Sequence, residues 1–398
     1  MKKLRVVHVI TRVDWGGSAE NTGASVFRAD TETLESRLVC GPGGKDSPAP
    51  QNADRVRVIQ TLTRSLSPVK DIKAFFGLLK AYEDLRPDII HTHTSKAGIL
   101  GRWAGWLYKR RCGRDVKIIH TPHGHVLYGY FGKMESALYL LAERLTAPIT
   151  DSLIALTRGE ARESSEAGIG HMMQWTWIHS GVETSRAMRY LDVVSRAEAK
   201  TLVRRQCGFE RDAFVTGFCG RLTAVKGVPH LLRAFRKLYM RRNNCRLLII
   251  GTGEDEAALK DLAEQLKIDD AVHFAGYQED PWRWIAACDV LAQPSLNEGM
   301  GRTLVMAQAL GVPPVAFSVC GIPDVVIDGM TGLLVKPGDE EGLYRALLRL
   351  ENDPGLASKL GSAGTGWVMS PDDTRHPRFS EASMLEQLKE HYWKIWRA

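Results

Sequence analysis

The chain has 398 residues, 44% hydrophobic and 25% charged, which is the usage of ordinary globular domains and excludes a disordered chain, a collagenous rod and a coiled coil. At about 150 residues per domain this length predicts two domains and excludes a small disulfide-stapled module. The formal charge of +7 is uneven: residues 1–178 hold 25 Lys+Arg against 18 Asp+Glu, whereas 179–398 hold 28 of each, so the first half suits anionic surfaces or phosphorylated ligands as well as ordinary solvated charge.

The opening MKKLRVVHVITRVDW holds a basic pair and an apolar run too short for a signal peptide. No later stretch approaches the ~18 to 20 apolar residues of a membrane span, so a cytoplasmic chain is expected. LRVVHVI (4–10) reads as the first of several β-branched strands. It is followed by DIIHTH (88–93), KIIHTP (117–122), SLIALT (152–157), FVTGFCG (214–220), RLLIIGTG (246–253) and DVLAQPS (289–295). Each leads through a Gly, Ser, Thr or Pro loop into a helix-like segment, such as 69–85, 98–110, 133–147, 227–242 or 254–267. That rhythm predicts parallel sheets flanked by helices. The pattern restarts near residue 213, and the charged segment 192–212 reads as a helix crossing between domains. After SPDDTRHP, the stretch FSEASMLEQLKEHYWKIWRA reads as a final amphipathic helix. The seven cysteines are scattered, odd in number and never spaced C-x-x-C, so they read as reduced thiols with no metal site.

In open parallel sheets ligands bind beyond the carboxyl ends of the strands. After the first strand, the pair Gly16-Gly17 opens a helix and lets amides approach an anion or sugar, although a plain tight turn fits as well. His91, His93 and Lys96 follow one strand, and His120, His123 and His125 the next. Neither spacing matches a zinc site, and polar hydrogen bonders facing a sugar fit these rings better than a metal or acid/base cluster, while for any single ring a satisfied structural role fits best. Arg221 and Lys226 lie five apart across a turn, able to converge on a diphosphate or to stand as solvated cations. In PSLNEGMGRTLVMAQALG (294–311), Glu298 stands at the mouth of a loop and is suited to sugar hydroxyls or to capping. The amides of Arg302 and Thr303 then open a helix able to hold phosphate. A dinucleotide fingerprint is excluded, because GTGEDE places Glu256 where the third glycine belongs.

Taken in order, these motifs resemble the retaining nucleotide-sugar glycosyltransferases of family 4. The marks are Gly16-Gly17, His123-Gly124, I-x-S-G-V at 178–182, G-R-L-x-x-x-K-G at 220–227, I-G-x-G at 250–253, P-S-x-x-E-G at 294–299 and the glycine-rich run ending at Val335. The resemblance implies a GT-B fold, two Rossmann-like doubly wound α/β domains facing a cleft. Residues 1–182 would form the acceptor-side domain, 183–375 the donor domain, and 376–398 a helix returning to the first. It implies sugar transfer, from a UDP-sugar as the family-level guess, to a sugar or lipid-linked acceptor hydroxyl in cell-envelope polysaccharide or glycolipid synthesis. No metal, other cofactor or nucleic acid is implied.

His123, Arg221, Lys226 and Glu298 would be catalytic. Gly16, Gly17, Gly253, Tyr277, Gly299, Arg302, Thr303 and Met306 would line the donor, and His93, Lys96, Tyr128 and Tyr130 the acceptor side. The family's second glutamate, which holds both ribose hydroxyls, is here Met306. This departure leaves open a weak or inactive, scaffold-like relative, and a GT-B nucleotide-sugar epimerase is a further alternative. Aromatic and basic residues at 102–111 and 125–133 suggest peripheral contact with an anionic membrane on its cytoplasmic face, although a core-facing helix with a solvated edge explains 102–111 equally well.

Overall fold

The computed structural model describes residues 3–13, 16–43, 53–124 and 132–398. It divides into two compact units, Met1–Gly181 with Glu381–Ala398, and Val182–Ser380. In the first unit the described strands are β1 (Leu4–Ile10), β2 (Leu34–Cys40), β3 (Val56–Val58), β4 (Ile89–His93), β5 (Lys117–Thr121), β6 (Ser152–Ala155) and β7 (Trp175–Trp177). They form one sheet in the order β3-β2-β1-β4-β5-β6-β7. The second unit has β8 (Phe214–Cys219), β9 (Cys245–Ile250), β10 (Val272–Gly276), β11 (Val290–Gln293), β12 (Pro314–Phe317) and β13 (Leu333–Val335), in the order β10-β9-β8-β11-β12-β13. All these pairings are parallel. The strand order reverses between β1 and β4 and between β8 and β11, the two switch points where such sheets take their ligands.

The central strands are continuous apolar runs because helices cover both of their faces. On one face of the first sheet, Leu78 and Tyr82 of the helix Pro68–Leu85 pack with Ala104 and Tyr108 of the helix Ser95–Cys112. On the other, the final helix Glu381–Arg397 lays Met384, Leu388 and Tyr392, spaced at i, i+4 and i+8, against Leu4, Ile89, Ile119 and Ile154. Burying each such side chain contributes about 1.5–3 kcal/mol, which is what keeps this last segment in the first unit.

The sequence reading locates β1, β4, β5, β6, β8, β9 and β11 and misses the others. β3 and β7 are three-residue edge strands, β2 carries the polar run Glu35-Ser36-Arg37, and β12 opens on a proline, which a central strand tolerates at its first position. The charged segment 192–212 does not cross between domains. Its helix Val193–Gln206 belongs to the second unit, with Ala199 and Val203 buried and the Arg204 guanidinium donating to the carbonyls of Ala213 and Ala287 and to Asp289. A buried, fully paired arginine reads locally like a solvated one.

Residues 102–111 likewise turn inward. Arg102 is fully buried and donates to Glu143 at 2.5 Å, while Trp103 Nε1 donates to Thr146 Oγ1 at 3.1 Å. No described helix is long and apolar enough to cross a membrane.

Candidate active site

In the second unit the loops after β8 and β11 meet at the switch point. Gly227 makes this possible: its φ is 64° and a Cβ there would stand 2.0 Å from the Pro294 carbonyl oxygen. The Leu296 amide donates to the Val225 carbonyl at 2.8 Å, closing the two loops together. The ammonium of Lys226 then reaches Glu298 Oε2 at 2.5 Å, with the two side chains only 19% and 16% exposed. Ser295 Oγ donates to the same carboxylate oxygen at 3.3 Å. Gln293 Nε2 donates to Ser295 Oγ at 2.7 Å, and Thr303 Oγ1 donates to Gln293 Oε1 at 3.2 Å. Gln293 and Ser295 are buried, so this polar row sets the carboxylate rather than solvating it.

Arg221 lies exposed just beyond β8, and Gly299 belongs to the same loop as Glu298. The helix Arg302–Ala309 starts at Gly301 with no side chain capping it, leaving the Arg302 and Thr303 amides at a positive helix end. Gly253 packs against the backbone of Leu222, where a Cβ would stand 2.1 Å from the carbonyl oxygen. Tyr277 is exposed at the end of β10, beside the Gly251–Gly276 bridge. Met306 is 8% exposed. Gln308 does not replace the missing glutamate, because its amide donates to the carbonyls of Leu304 and Val325 in the core.

In the first unit, Gly16 (φ 138°) starts the helix Gly17–Phe27, also uncapped by any side chain. Strand alternation and register sort the histidines. His8 of β1 is paired with His91 of β4, so His8, His91 and His93 share a face, and His120, paired with Thr92, takes the other. His91 places Nδ1 2.6 Å from the Tyr392 hydroxyl and Nε2 2.8 Å from Thr121 Oγ1. His93 lies 3.0 Å from His8 on one side and 2.9 Å from His123 on the other.

His123 follows β5 with φ 60°, a left-handed conformation unusual for a side-chain-bearing residue. The turn is held by the buried carboxylate of Glu160, which accepts from the amides of Gly124 (2.8 Å) and Leu156 (2.6 Å). The T-x-x-E pattern at 157–160 announces a capping box, and Thr157 does cap Glu160; the reach of the carboxylate to Gly124 was not visible.

His8, His91 and His93 each offer a nitrogen within 4.8 Å of the others. Both nitrogens of His91 are engaged by Tyr392 and Thr121 and both of His93 by His8 and His123, so the trio forms a hydrogen-bonded cluster in which His8 Nε2 alone has no partner among the described residues. Of the expected acceptor-side residues, His93 is buried and touches His123. Lys96 is also buried, paired with Asp71 at 2.6 Å and donating to the Ser65 carbonyl. Tyr128 and Tyr130 lie outside the described residues.

Residues 16–172 match the family described as Glycosyl transferase 4-like domain, and residues 200–367 the one described as Glycosyl transferases group 1. The D-inositol 3-phosphate glycosyltransferase of Thermobispora bispora is 31% identical over 328 residues, 78% of this chain and 71% of that protein. The UDP-Gal:alpha-D-GlcNAc-diphosphoundecaprenol alpha-1,3-galactosyltransferase of Escherichia coli is 27% identical over 327 residues, 81% of each. Among solved structures, Anabaena HepE in complex with UDP and glucose superposes with a TM-score of 0.79 at 18% identity, over 98% of this chain and all of that one, a likeness of fold. With matches over both units, two parallel Rossmann-like sheets and the Lys226–Glu298 pair at the second switch point, the chain belongs to the family-4 glycosyltransferases of the GT-B fold.

Proposed function

We propose that this enzyme moves a sugar from a nucleoside diphosphate sugar, with UDP-sugars the first to test, to a hydroxyl of a membrane-borne precursor of envelope polysaccharide or glycolipid, retaining the anomeric configuration. The observation that carries the reading is the convergence of Lys226, Glu298 and an uncapped helix start at one switch point. In this reading Lys226, Arg221 and the Arg302 and Thr303 amides stabilise the departing diphosphate, doing the work a divalent cation would otherwise do. Glu298 accepts from sugar hydroxyls, and His123 hydrogen-bonds the sugar. The anomeric C–O bond to phosphate breaks as the acceptor oxygen bonds the same face, and the acceptor's proton passes to the leaving phosphate. The names of the relatives support donor and acceptor class: one uses UDP-Gal and a diphosphoundecaprenol acceptor, and HepE was solved with UDP and glucose.

Met306 is the observation that favours a scaffold instead. Nucleoside diphosphate release assayed over a donor panel, with and without lipid extract, separates the two. Met306→Glu is expected to lower the donor KM about tenfold, the worth of one charged hydrogen bond. No release from any donor by either protein, together with no thermal shift by any nucleoside diphosphate, would leave the scaffold standing.

Membrane contact in this reading belongs to two helices flanking Ser95–Cys112 on one side of the sheet. The helix Lys133–Thr146 exposes Met134, Leu138, Leu141 and Leu145, one apolar stripe at i, i+4, i+7 and i+11, each 52–81% exposed. The helix Pro68–Leu85 exposes Val69, Ile72 and Phe76 between the exposed Lys70, Lys73 and Lys80. Apolar side chains interleaved with lysines, on the half that holds the whole charge excess, suit an anionic bilayer. In flotation with phosphatidylglycerol-containing vesicles at low salt, the wild type is expected to float and the double variant Leu138→Glu/Leu141→Glu to stay at the bottom. Equal behaviour of the two proteins would remove this surface from the reading.

A further inference from the structure

The row of side chains behind Glu298 has a direction, and the acceptor at its end fixes it. Gln293 is the last residue of β11, Ser295 lies two positions beyond it, and Thr303 is the second residue of the helix Arg302–Ala309. Gln293 and Ser295 are 1% and 0% exposed, so bulk water serves neither. The contacts run from Thr303 Oγ1 to Gln293 Oε1 (3.2 Å), from Gln293 Nε2 to Ser295 Oγ (2.7 Å) and from Ser295 Oγ to Glu298 Oε2 (3.3 Å).

Each contact needs one proton, and one end of the row can supply none. Glu298 faces the Lys226 ammonium as a carboxylate, which only accepts. Ser295 must therefore give its single hydroxyl proton to Glu298. Its oxygen then has to accept from Gln293, which turns the amide nitrogen toward Ser295 and the amide oxygen toward Thr303, and Thr303 donates to that oxygen. With the amide turned over, Gln293 and Glu298 would both claim the one Ser295 proton, and a buried contact would set oxygen against oxygen with no proton between them.

Lys226 and Ser295 both bond Oε2 of Glu298, and among the described residues none bonds Oε1. One oxygen is held by the protein and the other is left to a ligand. Through Gln293 the hold on Oε2 also reaches the helix start, so the carboxylate suited to sugar hydroxyls and the amides suited to phosphate share one hydrogen-bonded support.

We propose that Gln293 and Ser295 are positioning residues that lock Oε2 of Glu298 and present Oε1 to a hydroxyl of the donor sugar. The proposal rests on the reading that Glu298 meets that sugar, and it assigns work to two buried side chains that the chemistry above leaves without a task.

Neutron diffraction from deuterium-exchanged crystals of the full chain tells nitrogen from oxygen and shows each deuteron. Gln293 is expected with Nε2 toward Ser295, and the Ser295 deuteron on the line to Glu298 Oε2. The reversed amide, or a Ser295 deuteron turned to Gln293, would overturn the proposal. The functional arm is a double-mutant cycle on nucleoside diphosphate release over the donor panel. Ser295→Ala, and Gln293→Met, which keeps the length of the side chain without its N–H, are each expected to lower kcat/KM for the donor about tenfold. In the Glu298→Ala background the same substitutions are expected to change it by less than about twofold, because no carboxylate remains to be aimed. An equal loss in both backgrounds would mean that the row only supports the fold and would overturn the proposal, as would wild-type kcat/KM in Gln293→Met. Wild-type kcat/KM in Glu298→Ala would sink the sugar-facing reading instead, leaving the neutron result standing. If a variant fails to fold or to turn over, the neutron map of the wild type decides alone.

Discussion

Alanine in place of Lys226 is expected to lower turnover about a hundred- to a thousandfold, the range seen when one preorganised charge or donor is taken from a transition state. The ammonium stands at the junction of the two switch-point loops, with little solvent access, and its bond to Glu298 at 2.5 Å holds both charges ready. When the sugar–phosphate bond breaks, negative charge grows on the diphosphate, and a cation already fixed there needs no reorganisation to meet it. The substitution also leaves the Glu298 carboxylate with Ser295 and without its cation, which weakens hold on the sugar hydroxyls and adds to the effect. Arg221→Ala should be milder, because Arg221 is exposed and water screens its charge. The measurement is nucleoside diphosphate release at saturating donor, with circular dichroism to show that the fold persists. Turnover within a factor of about three of the wild type would remove Lys226 from the reaction.

The architecture was legible because central parallel strands are apolar runs followed by glycine-marked loops, and those local signals drew attention to the loops after β8 and β11, which the sheet brings together. What joins them was not legible. Lys226 and Glu298 are 72 positions apart, and only the strand order β8-β11 makes them neighbours. The histidines show the same limit. Five rings at two strand ends look like one cluster in the sequence, yet alternation sends His120 to the opposite face, and parallel register brings in His8 from 85 positions before His93. Charge misled for a related reason. Arg102 reads as part of a membrane-facing stretch and Arg204 as part of a helix crossing between domains, whereas both are buried and paired with tertiary partners that no local pattern announces, Glu143 and Asp289. The membrane reading moved accordingly, from the helix Ser95–Cys112 to the stripes on its two neighbours.

Mild acid is expected to unfold the first unit early, by an amount large against its total stability. His8, His91, His93 and His120 are all buried in that unit. Burial lowers the His8 pKa to about 3. Burial, then the neighbouring histidines, hold His91 and His93 well below the usual value, and burial with the Arg102 charge does the same for His120. In the unfolded chain each returns to about 6.5. Below that pH the unfolded state binds protons the folded state refuses, so stability present above about pH 6.5 is lost as the pH falls, for His8 down to about 3. Each group costs roughly 1.4 kcal/mol per pH unit over that window. Four of them between pH 7.5 and 5.5 cost on the order of 5 kcal/mol, against a typical total of about 5–15 kcal/mol. For a unit of this size the midpoint of thermal unfolding should fall by about 10 °C or more. Calorimetry at the two pH values measures it, and equal midpoints would mean that these rings are charged or solvated in the folded chain. His8→Gln, which cannot titrate, should recover about a quarter of the loss.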